Sequence, residues 1–80
     1  MKNRKFKKRL GKCIYLARMR SNLFQSDIAY LLKVKPSLIS MYESGTRSPC
    51  LLNFLKLVKL FDSTFLFEVM CILEIKDDSE

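Results

Sequence analysis

Apolar side chains recur at helical spacing in two successive runs between Gln25 and Glu43, and only three residues separate the runs. The first, Gln25 to Leu32, carries Ile28, Ala29, Leu31 and Leu32. The second, Pro36 to Glu43, carries Leu38, Ile39 and Tyr42. Recurrence at intervals of three and four predicts an amphipathic helix for each run, about residues 25–32 and 36–43. Lys33-Val34-Lys35 is too short a linker for anything but a turn. Pro36 suits a first helical position, where its fixed φ fits and its missing N–H would be unpaired anyway. Gly45 ends the second helix by tolerating positive φ. Ala29 is small where the helices must approach closely, and Val34 can plug the gap between them.

Around this pair the pattern continues. Leu10 to Arg20 predicts a preceding helix with Leu10, Cys13, Ile14 and Ala17 inward, and Asn22 suits the left-handed residue that ends it. Leu51 to Phe61 predicts a following helix, with Leu51, Phe54, Leu55, Val58 and Phe61 on one face. Phe65 to Ile75 reads two ways. A fifth helix would be apolar nearly all round, whereas the alternation Phe67, Val69, Cys71, Leu73, Ile75 is strand-like. Either way the run carries more apolar surface than one small domain covers, so Phe67, Val69 and Leu73 are candidate contacts of a homodimer. Residues 1–9 show no apolar periodicity and predict a flexible basic arm, 10–75 form the domain, and 76–80 are an acidic tail. The fold class is therefore all-α, a compact domain of four or five helices.

Charge changes the picture from fold to partner. The 80 residues carry a net +7, distributed unevenly. From residue 1 to 60, fourteen Lys and Arg stand against Asp27 and Glu43 alone; from 61 onward, Lys76 stands against six acids. A basic body with an acidic end implies a polyanion partner, nucleic acid first. Histidine is absent and Cys13, Cys50 and Cys71 have no paired spacing, which argues against a zinc site and against Cys–His catalysis. Cys13 and Cys71, in apolar runs, read as core fillers, and all three as reduced thiols of a cytoplasmic protein. The apolar run at 65–75 is too short and too charged to span a membrane. No apolar leader opens the chain. No metal, cofactor or small-molecule ligand is evident, and with no phosphate-binding glycine loop or paired carboxylates an enzyme is not expected.

Two helices crossing over a three-residue turn is helix-turn-helix geometry. From Leu10 to Pro49 the residues resemble the phage-repressor, Cro or XRE-type domain, a lambda-repressor-like fold. Leu23, Gln25, Ile28-Ala29, Val34, Ile39-Ser40 and Glu43-Ser44-Gly45-Thr46-Arg47-Ser48-Pro49 match its pattern in register without a gap. Three positions depart from it: Phe24 replaces a Ser/Thr cap, Lys33 the glycine of the turn, and Lys35 the cap before the second helix of the motif.

The resemblance implies sequence-specific binding of double-stranded DNA and a role as a prokaryotic or phage transcriptional regulator, a repressor for example. It implies base contacts at Pro36, Ser37 and Met41, with Lys35 and Ser40 adjacent, since the N-terminal part of this helix lies in the major groove. Phosphate contacts are expected from Gln25, Ser44, Thr46 and Arg47 and from the arm residues Lys5, Lys7, Lys8 and Arg9. An ion pair between Arg18 and Glu43 is implied as the structural tie. The reading face lacks Arg, Asn and Gln, the side chains that grip purines bidentately. That absence motivates the other reading, a protein-interaction module of the same fold, such as an antitoxin or accessory subunit, with weak or non-specific DNA binding.

Overall fold

The computed structural model describes residues 2–74, so Ile75 and the acidic tail lie outside the described residues. Five helices follow one another: α1 (Lys2–Arg20), α2 (Gln25–Leu32), α3 (Pro36–Ser44), α4 (Leu51–Leu60) and α5 (Ser63–Glu74). No strand occurs among the described residues. A single core gathers Leu10, Ile14 and Ala17 of α1, Ile28, Ala29 and Leu32 of α2, Ile39 and Tyr42 of α3, Leu57 of α4, and Phe65 and Val69 of α5. Phe65 is its largest fully buried side chain, edge-on to Phe61 at 5.1 Å and tilted against Phe54 at 6.2 Å. Such pairs add to the burial of the rings themselves.

Residues 2–9 are not a flexible arm: they form the first two turns of α1. Phe6, four residues before Leu10, extends the inward stripe and packs against the core. The basic run around it hides that anchor from a periodicity count. Further along, Gly11 lets α1 cross the end of α3 backbone to backbone. A Cβ there would collide with the Tyr42 carbonyl oxygen and stand 2.6 Å from that of Glu43.

The C-terminal elements differ from expectation in their facing. The fully buried residue of α4 is Leu57, while Leu51 and Leu55 are exposed. Leucines surround this helix, so spacing alone does not choose a face. The run from residue 65 is helical: Phe65, Val69 and Ile72, at i, i+4 and i+7, point inward. Asp62 starts α5 by accepting the Phe65 N–H at 3.2 Å through Oδ1. Val69 therefore lies in the protomer's own core and is not a dimer contact, whereas Phe67 and Leu73 are exposed. Cys71 is exposed rather than a core filler, and only Cys13 of the three thiols is buried. Burial pushes the Cys13 thiol up, with the Glu68 carboxylate adding to the rise. Arg20 joins α1 to this end through Glu68 at 3.4 Å and Asp62 at 3.6 Å.

Candidate nucleic-acid interface

The motif is set by its two turns. After α2 the chain enters the left-handed region at Lys33, with φ 61°, where its N–H reaches the Tyr30 carbonyl oxygen at 3.2 Å. The next N–H, that of Val34, donates to the Ala29 carbonyl oxygen at 2.9 Å. Lysine in this conformation is strained relative to glycine. The turn persists because Ala29 is buried beneath it and Val34 packs against the core. Pro36 occupies the first turn of α3, and Lys35, its N-cap, supplies no side-chain cap.

Ile39 and Tyr42 are buried on the inner face of α3. Asn53 of α4 donates to the Tyr42 hydroxyl at 3.0 Å, fixing the helix from behind. Lys35, Pro36, Ser37, Ser40 and Ser44 are exposed on the outer face, with Met41 half-buried at its edge. Gly45, at φ 82°, closes the helix. The N–H groups of Thr46 and Arg47 then both donate to the Met41 carbonyl oxygen, at 3.0 and 3.2 Å. The Ser44 and Thr46 hydroxyls bond each other at 2.8 Å, so this loop has a fixed shape. Arg47 is exposed beyond it and makes no side-chain hydrogen bond or ion pair among the described residues.

Beneath this surface lies a polar knot. Arg18 Nε donates to Glu43 Oε2 at 2.6 Å, and its Nη2 to Oε1 at 3.1 Å. Nη1 donates to the Leu23 carbonyl oxygen at 3.0 Å, which also holds the α1–α2 connection. The hydrogen bonds to Glu43 raise the Arg18 pKa above its ordinary value. Gln25 joins the knot, its Nε2 donating to Glu43 Oε1 at 3.0 Å. The amide keeps a second hydrogen for an outer acceptor. One carboxylate thus ties α1, α2 and α3 together, with Gln25 at the N-terminus of α2, where the first backbone N–H groups have no intrahelical partner. The cap missing at Phe24 is replaced from the other side: Asp27 Oδ2 accepts the Phe24 N–H at 2.8 Å. Asp27 stands three residues beyond the cap position, where such a partner belongs.

The basic residues expected in an arm sit instead on the front of α1. Gly45 lies against Lys8, whose Cα would be 2.9 Å from a Cβ at that glycine. The front of α1 therefore flanks the loop that carries Arg47. Lys5 and Lys8 are exposed, and Lys7 and Arg9 half-buried. Gly11 and Gly45, which make this adjacency possible, were not expected as contact points. The sequence points to Gly45 only as the end of the helix and gives Gly11 no role.

A buried inner face, an outward helix and a flanking loop at the end of that helix define the helix-turn-helix class of DNA-binding domains. A family model described as helix-turn-helix matches residues 14–67, and the chain belongs to this family of DNA-binding transcriptional regulators, the XRE or Cro type. A search of curated proteins returned no match. Among the described residues, no helix is long and apolar enough to cross a membrane.

Proposed function

We propose that this protein binds double-stranded DNA sequence-specifically, as a homodimeric transcriptional regulator of phage or prokaryotic type working in the cytoplasm, with no chemistry of its own. The observation that carries this reading is the continuity of one surface. The outer face of α3, the Ser44–Arg47 loop and the basic front of α1 adjoin one another. With α3 in the major groove, Pro36, Ser37 and Met41 meet base edges, with Lys35 and Ser40 beside them. Pro36 and Met41 suit thymine methyl groups and the serine hydroxyls accept more than one base. Gln25, Ser44, Thr46, Arg47, Lys5, Lys7, Lys8 and Arg9 meet phosphates and set the register. The first turn of α1 has no acidic residue, so its lysines and arginines sit against the positive end of a helix dipole. A phosphate backbone relieves that repulsion.

The exposed flank of α5, with Phe67 and Leu73 beside Leu66 and Met70, is the surface for a second copy. A two-fold dimer through it suits two α3 helices one DNA turn apart, roughly 34 Å. The second reading, an interaction module such as an antitoxin or accessory subunit, draws on one observation: no Arg, Asn or Gln lies on the outer face of α3. Selection of bound duplexes from a random pool tests the choice. A palindromic motif is expected, and it changes with Ser37→Ala or Met41→Ala. Arg47→Ala weakens all duplexes alike and lowers the salt slope by about one unit. Recovery of no motif, with a steep salt dependence, favours the interaction module.

A further inference from the structure

Helix α4 presents a surface that the DNA reading leaves unused. Leu52 and Leu55 are 62% and 53% exposed, and Leu31 of α2 is 50% exposed. Between the two helices runs a groove of about 390 Å³ lined by Leu31, Leu32, Lys56, Lys59 and Leu60. Leu32 is its buried floor. Leu52, Leu55, Lys56 and Lys59 recur at intervals of three and four, so leucines and lysines share the outward side of one helix. Among the described residues neither lysine forms an ion pair, no acid lines the groove, and α3 contributes nothing to it.

We propose that this α2–α4 groove docks an acidic amphipathic helix of a partner protein. The leucines receive its apolar stripe, and Lys56 and Lys59 pair with carboxylates on its flank. Charge selects the occupant. A second copy docked groove to groove about a two-fold axis would set Lys56 and Lys59 against their own counterparts, and like charges across an interface are costly. The chain's acidic end, residues 76–80, has no apolar side chain to fill the groove. DNA would meet the lysines but leave the leucines exposed. Because the groove contains no residue of α3, a partner held there leaves the reading face open, as a regulator that contacts another protein while bound to DNA requires.

The test uses the full chain and two synthetic helical peptides, with leucine at i, i+3 and i+7 and either glutamate or lysine on the flanks. Fluorescence anisotropy is measured with and without a bound duplex, and amide NMR maps the contact. The glutamate peptide is expected to bind in both states and to shift Leu31, Leu55, Lys56 and Lys59, while the lysine peptide stays free. The pair Lys56→Glu and Lys59→Glu reverses the preference, weakening the glutamate peptide on the order of tenfold or more. Leu55→Ser, at an exposed site that leaves the fold intact, weakens it too. Equal binding of both peptides, shifts confined to α5 or α3, binding of anionic vesicles without binding of the glutamate peptide, or self-association lost in Leu55→Ser would each overturn the proposal. Loss of peptide binding only when duplex is present would overturn its placement away from DNA. Failure to bind any duplex, with the peptide still held, would count against the DNA reading and leave the groove standing.

Discussion

The contact of α1 with α3 and the outer surface of α4 and α5 are built by opposite means. At the first, backbones touch: Gly11 lies under the Tyr42 and Glu43 carbonyls, Gly45 lies against Lys8, and the Arg18–Glu43–Gln25 knot closes the polar groups over it. At the second, side chains outnumber the space available to them. Leu51, Leu52, Leu55, Leu66, Phe67, Met70 and Leu73 are all exposed. A domain of this size covers only part of its apolar surface. The difference teaches where each half keeps its information. The half that carries the helix-turn-helix motif holds α3 at a fixed angle, so it is determined within the chain. The other half keeps apolar surface to spare, and it is there that the proposed second copy and partner helix are placed.

The sharpest break of this contrast is Gly11→Ala. At an ordinary helical position that change gains about 1 kcal/mol. Here the added methyl meets backbone carbonyls that cannot rotate away, so stability is expected to fall by about 3 kcal/mol or more. Urea denaturation reads it directly. A stabilised variant would show that α1 and α3 are free to separate, and the contrast would collapse.

Next in size is the polar knot. Both partners of the Arg18–Glu43 pair are nearly buried. Glu43→Ala leaves the guanidinium and the Gln25 amide without their acceptor and is expected to cost about 3 kcal/mol. Glu43→Gln, which keeps the shape but not the charge, is expected to cost less. Equal stability of all three proteins by thermal unfolding would mean that the knot orients α3 without holding it.

On the other surface the same magnitudes fail to appear. Met70→Ser and Leu73→Ser are expected to change protomer stability by only about 0.5 kcal/mol, because the side chains are already in water. Both are expected to shift sedimentation toward monomer, where Val69→Ser unfolds the protomer instead. Monomers at every concentration for the unaltered chain would remove α5 as a dimer surface.

How much of this was legible in the sequence follows the same division. The motif was legible because Ile28, Ala29, Ile39 and Tyr42 sit at helical spacing among polar residues, with Pro36 and Gly45 at the boundaries. The front of α1 was not: Phe6 is one apolar residue among six basic ones, and only its packing against the core reveals the extra turns. Gly11 was silent because its reason lies in another helix's backbone. Leu51, Leu55, Val69 and Cys71 face otherwise than their spacing suggests because α4 and α5 are apolar on several sides, so more than one rotation satisfies it. The outer face of α3 was legible by position, as Pro36, Ser37, Ser40 and Ser44 fall off the stripe of the buried Ile39 and Tyr42. Asp27 carries a signal in its spacing, three residues beyond Phe24, but a phenylalanine at the cap position masks it.

The smallest expected effect separates the two regions by chemistry rather than stability. Cys13 is buried in α1, while Cys50 and Cys71 are exposed on the α4–α5 side. The thiolate is the reacting species, and burial raises the Cys13 thiol, so it is protected both sterically and by its protonation. Iodoacetamide is expected to label Cys50 and Cys71 rapidly and Cys13 only as the protein opens. The folded chain holds the Cys13 proton more tightly than the unfolded chain does. That contribution to stability is complete at neutral pH and is lost as pH rises into the alkaline range where the folded thiol finally ionises. The Cys13→Ala variant is therefore expected to show a flatter alkaline stability profile, with a reduced maximum from the small cavity it leaves. Labelling of Cys13 at the rate of Cys71, in chain that remains folded by circular dichroism, would place the opening of α1 from α5 among the fast motions. It would also make the α1 side no more fixed than the other.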